Sequence, residues 1–154
     1  MTALVPTIGH KALIRFATTF TDDADVHVII SGRSKEPVHV WDRHMALTDA
    51  FNLSFVNFYV HEDDNAPQYP DPTRTFDGPF WKYWADVVTS RVGTVFSDDI
   101  VMASEPYGAV MAEILNCRFI PFDTNRTLYN VTGTNVRQNM YWEWENILPQ
   151  YRTM

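Results

Sequence analysis

The sequence predicts an α/β protein, a doubly wound and mainly parallel sheet of five strands with helices on both faces. Three observations lead there. Five short runs rich in β-branched and aromatic residues recur along the 154 residues, amphipathic helical patterns separate them, and two helix starts carry threonine, glycine and a basic side chain. Alternating strands and helices imply parallel strands joined by right-handed crossovers. Ligands of such sheets sit beyond the carboxyl ends of the strands, where helix N-termini offer unpaired N–H groups.

Each element has its own signal. Residues 3–5 form the first short run and are expected to be the first strand. Thr7, Ile8, Gly9 and His10 follow and open a helix in which Leu13, Phe16, Ala17 and Phe20 recur at intervals of three and four. Residues 26–30 give a second strand, 41–51 a second helix and 55–60 a third strand. From 61 to 79 the chain holds four prolines and five acidic residues, too broken for either regular element, so it reads as a long loop. Phe80, Trp84, Val87 and Val88 mark a third helix. Residues 100–103 follow as a strand, Val110, Met111, Ile114 and Leu115 as a helix, and 117–122 as the fifth strand. A short helical segment at 132–137 closes the pattern.

At 45% hydrophobic residues the chain can bury a core without staples, and its length suits one domain spanning 1–154. Cys117 is the sole cysteine, so it makes no intramolecular bridge and is expected in the core of a cytoplasmic protein. No apolar run approaches the roughly 20 residues of a membrane span, and no membrane partner is expected. A net charge of −7 excludes nonspecific nucleic-acid binding, which needs a basic face. Any polyanion must therefore be held at one local site.

Two segments offer such a site. In Thr7-Ile8-Gly9-His10 the glycine allows close approach to the backbone, while Thr7 and His10 add side-chain donors at a positive dipole end. A capping threonine followed by a surface histidine accounts for the same residues. In Val131 to Arg137 ("VTGTNVR"), Thr132 can cap a helix and Arg137 lies one turn from Thr134, placing a guanidinium beside a second helix start. Held together, the two would fit a triphosphate. The glycine-rich signatures of P-loop kinases and dinucleotide oxidoreductases are absent.

Thr7-x-Gly9-His10 paired with Thr132-Gly133-Thr134-Asn135-Val136-Arg137 resembles the two signatures of the nucleotidyltransferase superfamily of adenylyl- and cytidylyltransferases. Within it the chain is most similar to the NadR-type nicotinamide mononucleotide adenylyltransferase domain. "HEDDNAPQYP" at 61–70, Trp81 and Trp84 as W-x-x-W, "SEPYG" at 104–108, "DTNRT" at 123–127 and the closing "YWEWENILPQYR" carry the likeness. The resemblance implies a Rossmann-like nucleotidyltransferase fold and the reaction of ATP with nicotinamide mononucleotide to give NAD and pyrophosphate, Mg²⁺ arriving with ATP. It implies that His10 and Arg137 are catalytic. Thr7, Gly9, His10, Thr132, Thr134, Arg137 and Ser104 would bind ATP, and Trp81, Trp84 and Arg33 the mononucleotide. Homo-oligomers are frequent among such proteins, so self-association is compatible with it.

Other readings stay open. Trp84 shares an apolar stripe with Phe80, Val87 and Val88, and such stripes usually pack in a core. Arg33 and Lys35 follow the second strand and suit solvent as well as a phosphate. Arg43 lies in "WDRHMAL", where the family often has an arginine. Ser104 can simply cap the next helix. Successive carboxylates in "HEDD" alternate in direction, which favours a solvated loop over a metal site. The family's first loop has a glycine, a basic residue and a proline one place earlier. Here Pro6 directly precedes Thr7. A pantetheine-phosphate adenylyltransferase, a cytidylyltransferase and a nucleotide sensor without turnover remain the alternatives.

Overall fold

The computed structural model describes residues 1–3, 5–20, 24–70 and 78–153. Its elements are α1 (Ile8–Thr18), β1 (Val26–Gly32), α2 (Val40–Ala50), β2 (Val56–Glu62), α3 (Pro79–Val92), β3 (Ile100–Ala103), α4 (Tyr107–Ile114), β4 (Arg118–Pro121), α5 (Gly133–Gln138), a 3₁₀ turn (Trp144–Asn146) and α6 (Pro149–Arg152). They divide into two compact units, Met1–Asp64 with Arg126–Met154, and Asn65–Asn125.

In the first unit β1 and β2 pair in parallel, from Val26 opposite Val56 to Gly32 opposite Glu62. Period-2 alternation turns Val26, Val28 and Ile30 to one side, where they are buried, and leaves His27 exposed on the other. The buried side meets Ile14 of α1, Val40, Ala46 and Leu47 of α2, Phe51, Val56 and Leu148 in one apolar core. Each of the valine, leucine, isoleucine and phenylalanine side chains contributes roughly 1.5–3 kcal/mol when removed from water. On the opposite side the His27 and Tyr59 rings stack with centroids 5.8 Å apart, and His27 Nδ1 lies 3.0 Å from the Tyr59 hydroxyl.

In the second unit β3 and β4 also pair in parallel, Ile100 opposite Arg118 and Ala103 opposite Pro121, and α4 packs on both. Gly108 makes that approach possible. A Cβ there would lie 2.6 Å from Ala103 Cβ and 2.7 Å from Phe119 Cε2. Cys117 sits half-buried in the turn between α4 and β4, outside a core cluster. Burial raises its thiol pKa, and Asp99 adds to the effect.

The expected five-stranded, doubly wound sheet is not what forms. Among the described residues there are two separate two-stranded parallel sheets, β1 with β2 and β3 with β4. Ala3 and Val5 belong to no strand; Leu4 lies outside the described residues, and Ala3 has a left-handed φ of 45°, incompatible with an extended run. The N-terminal residue still reaches β1, since the Met1 ammonium donates to the Ile29 carbonyl at 2.6 Å and Ser31 N–H donates to the Met1 carbonyl at 2.9 Å. The loop expected from 61 to 79 begins only after β2 ends at Glu62, and its residues 71–77 lie outside the described residues.

Arg43 holds the carboxyl end of β1. Fully buried on α2, it forms an ion pair with Glu36 and donates to the carbonyls of Thr2 at 2.7 Å and Ser31 at 3.2 Å. Gly32 leaves room for it. A Cβ at that position would meet Arg43 Nη2 at 2.5 Å and Val40 Cβ at 2.7 Å.

Candidate functional site at the start of the first helix

The segment entering α1 is clamped from the other end of the chain. Pro6, with no N–H of its own, accepts at its carbonyl from Leu148 N–H at 2.8 Å, and Thr7 forms an antiparallel bridge with Ile147. Thr7 is buried and extended, with φ −120° and ψ 166°, the geometry of an N-cap.

Thr7 and His10 then cap each other. The Thr7 hydroxyl accepts from His10 N–H at 3.4 Å, and His10 Nδ1 accepts from Thr7 N–H at 3.0 Å, completing a capping box in which histidine takes the place usual for glutamate. The hydroxyl also lies 2.9 Å from Nδ1. An amide donor aimed at Nδ1 fixes that nitrogen as an acceptor, so the neutral ring carries its proton on Nε2. Burial, then the Met1 ammonium and the Arg126 guanidinium, lower the His10 pKa to about 4. His10 is thus a neutral N–H donor across the physiological range.

Gly9 meets the second segment. A Cβ on it would lie 3.1 Å from Val131 Cγ1, so the turn of α1 rests directly on the residue preceding Thr132. Val5, Val131, Val136 and Ile147 form a small buried core with Ile8 and Val38 packed against it. Thr132 caps α5 by accepting from Asn135 N–H at 3.1 Å. Arg137 is exposed and donates to Thr134 Oγ1 at 3.4 Å. Thr7, Gly9 and His10 therefore lie in the same unit as Thr132, Thr134 and Arg137, joined through Gly9 and Val131.

The remaining candidates separate. Arg33 is half-buried just after β1 in the first unit, and its charge, with that of Lys35, assists two Ser34 hydrogen bonds in lowering the Asp64 pKa. Asp64 accepts from Ser34 N–H at 2.7 Å and from its hydroxyl at 2.6 Å, so part of "HEDD" closes a loop. Trp81, Trp84 and Ser104 belong to the second unit. Trp81 is buried, edge-on to Phe80 at 5.0 Å, and Trp84 donates its indole N–H to the Pro67 carbonyl at 3.1 Å. Ser104 does not cap α4, whose N-cap is Pro106.

Two arginines have roles that their sequence motifs do not show. Arg126 acts electrostatically on His10 from a left-handed turn, φ 54°, and no periodicity announces such a residue. Arg43 was noted only as a family position, whereas its complete burial makes it the anchor of the β1 end. No group of three or more His, Cys, Asp or Glu side chains able to hold a metal ion occurs among the described residues. The chain matches no model of a known protein family.

Proposed function

We propose that the protein is a nicotinamide-nucleotide adenylyltransferase, joining nicotinamide mononucleotide and ATP to give NAD and pyrophosphate. The reading rests on the paired helix starts and not on the sheet, whose five-strand form is overturned above. The observation that carries it is the fixed tautomer of His10, with Nδ1 engaged by Thr7 N–H and Nε2–H left as the donor.

The reaction is a direct transfer. An oxygen of the mononucleotide phosphate bonds to the α-phosphorus of ATP, the bond to the β-phosphate oxygen breaks, and pyrophosphate leaves. Positioning and charge neutralisation supply most of the acceleration in such chemistry. In this reading His10 donates through Nε2 to an α-phosphate oxygen, and the backbone at Gly9 and the Thr7 hydroxyl seat the triphosphate. Thr132, Thr134 and Arg137 hold its β- and γ-phosphates, and Arg126 adds positive charge. Mg²⁺ would come as part of the ATP substrate and supply charge neutralisation at its phosphate oxygens. Arg33 is a proposed contact of the mononucleotide.

Product analysis by mass spectrometry tests the reading. The protein is incubated with ATP, Mg²⁺ and one acceptor at a time: nicotinamide mononucleotide, nicotinate mononucleotide or phosphopantetheine. NAD from the first acceptor is expected. Product from phosphopantetheine alone would reassign the acceptor, and nucleotide binding without any product would leave a sensor in place of an enzyme.

A further inference from the structure

The capping pair at α1 is joined to the closing segment of the chain through two planar peptide units. Pro6 C=O and Thr7 N–H belong to one trans peptide, so they point in opposite directions and cannot turn independently. That carbonyl accepts from Leu148 N–H at 2.8 Å, and that N–H donates to His10 Nδ1 at 3.0 Å. Leu148 N–H in turn shares a trans peptide with Ile147 C=O, which accepts from the Arg152 Nε–H at 3.0 Å. A guanidinium, two peptide units and an imidazole thus form one hydrogen-bonded line, all within the first unit.

The middle of this line is held from both sides. Ile147 and Leu148 are fully buried in different apolar clusters, Ile147 with Val5, Val131 and Val136, and Leu148 with Ile14, Val28 and Leu47, which pins the peptide between them. Pro6 and Thr7 are buried as well, so water does not compete for either bond and each bond polarises the next. The Thr7 hydroxyl, 2.9 Å from Nδ1, can turn about its own bond, whereas the Thr7 amide is fixed. We infer that Leu148 and Arg152 are positioning residues for His10: through the Ile147–Leu148 and Pro6–Thr7 peptides they hold Nδ1 as an acceptor and Nε2–H as a polarised donor. The tautomer stands on this geometry alone, and only its effect on adenylyl transfer rests on the proposed function.

The test uses the full chain with Leu148 replaced by its α-hydroxy acid, which exchanges the donated N–H for an ester oxygen and keeps the buried side chain. The control carries the same exchange at Tyr151, whose N–H donates to the Leu148 carbonyl at 2.9 Å, outside the line. Circular dichroism should show both chains folded. In ¹⁵N-resolved NMR at neutral pH, His10 of the wild type and of the control should show one tautomer with its proton on Nε2, and the Leu148 ester should show Nδ1 partly protonated. Arg152→Met, which needs no synthetic residue, should move the same ring signals in the same direction. In the Leu148 ester kcat for NAD formation should fall about three- to tenfold with KM unchanged. An unchanged tautomer in the Leu148 ester, or an equal change in the Tyr151 control, overturns the inference, and an unchanged ring in Arg152→Met overturns the role of Arg152. NAD formation that the Leu148 ester leaves at the wild-type rate overturns the positioning role while sparing the transferase reading. A Leu148-dependent tautomer without any NAD formation by the wild type does the reverse.

Discussion

His10 shows how one side chain can serve structure and chemistry through different atoms. Its Nδ1 is consumed in capping α1, which leaves Nε2–H as the ring's remaining donor. Two expectations follow. Proton NMR titration of the ring should give a pKa near 4, with no change of charge between pH 6 and 8; a midpoint near 6.5 would contradict the burial argument. His10→Ala should lower the adenylyl-transfer rate about 10²–10³-fold and cost about 1 kcal/mol of stability in urea unfolding. That threonine and histidine would stand at a helix start was legible in the sequence. Their mutual capping was not, because a capping box is recognised by glutamate or glutamine at its third position. Arg43 was equally opaque, since burial of a lone arginine depends on carbonyls distant in the chain. Arg43→Ala strands Glu36 and should cost about 3–5 kcal/mol.

At the level of elements, the positions of β1 to β4 and of α1 to α4 were readable from β-branched and aromatic runs and from helical patterns, with strand ends shifted by at most two residues and the ends of α3 and α4 by up to four. The number of strands in a sheet was not. Residues 3–5 have strand-forming side chains, yet Ala3 turns left-handed and packs into the core beside β1, while Met1 makes the backbone hydrogen bonds to that strand. Pairing depends on tertiary contacts that local preference does not report. Glycines 32 and 108 record where those contacts are tightest. Gly32→Ala forces a methyl onto Val40 Cβ and Arg43, and Gly108→Ala onto Ala103 and the Phe119 ring. Each should lower stability by about 1–3 kcal/mol. Gly133→Ala meets only the flexible end of Arg137, at 3.0 Å, and should cost less. Thermal unfolding of the three variants ranks them.

Across the whole molecule, an acidic chain of net charge −7 places its cations locally, with Arg126 near His10 and Arg137 beside Thr134. Acid should weaken the fold in a defined window. The His10 pKa is depressed on folding, so between pH 6.5 and about 4 the unfolded chain binds a proton that the folded chain refuses. The stability that His10 contributes is therefore fully present above pH 6.5 and falls as the pH drops, by about 3 kcal/mol by pH 4, while the buried Met1 ammonium, lowered to about 6, adds a loss as the pH falls from 8. His10→Asn should flatten that slope. No helix among the described residues is long and apolar enough to cross a membrane.

The central claim concerns bond transfer at the α1 start, and ³¹P NMR of a reaction mixture reads it directly. With ATP, Mg²⁺ and nicotinamide mononucleotide, the account predicts that the ATP signals decline while NAD and pyrophosphate signals rise in equal amounts, and that His10→Ala nearly abolishes the change. Unaltered ATP in the presence of the wild-type protein, or turnover that His10→Ala leaves intact, would contradict it.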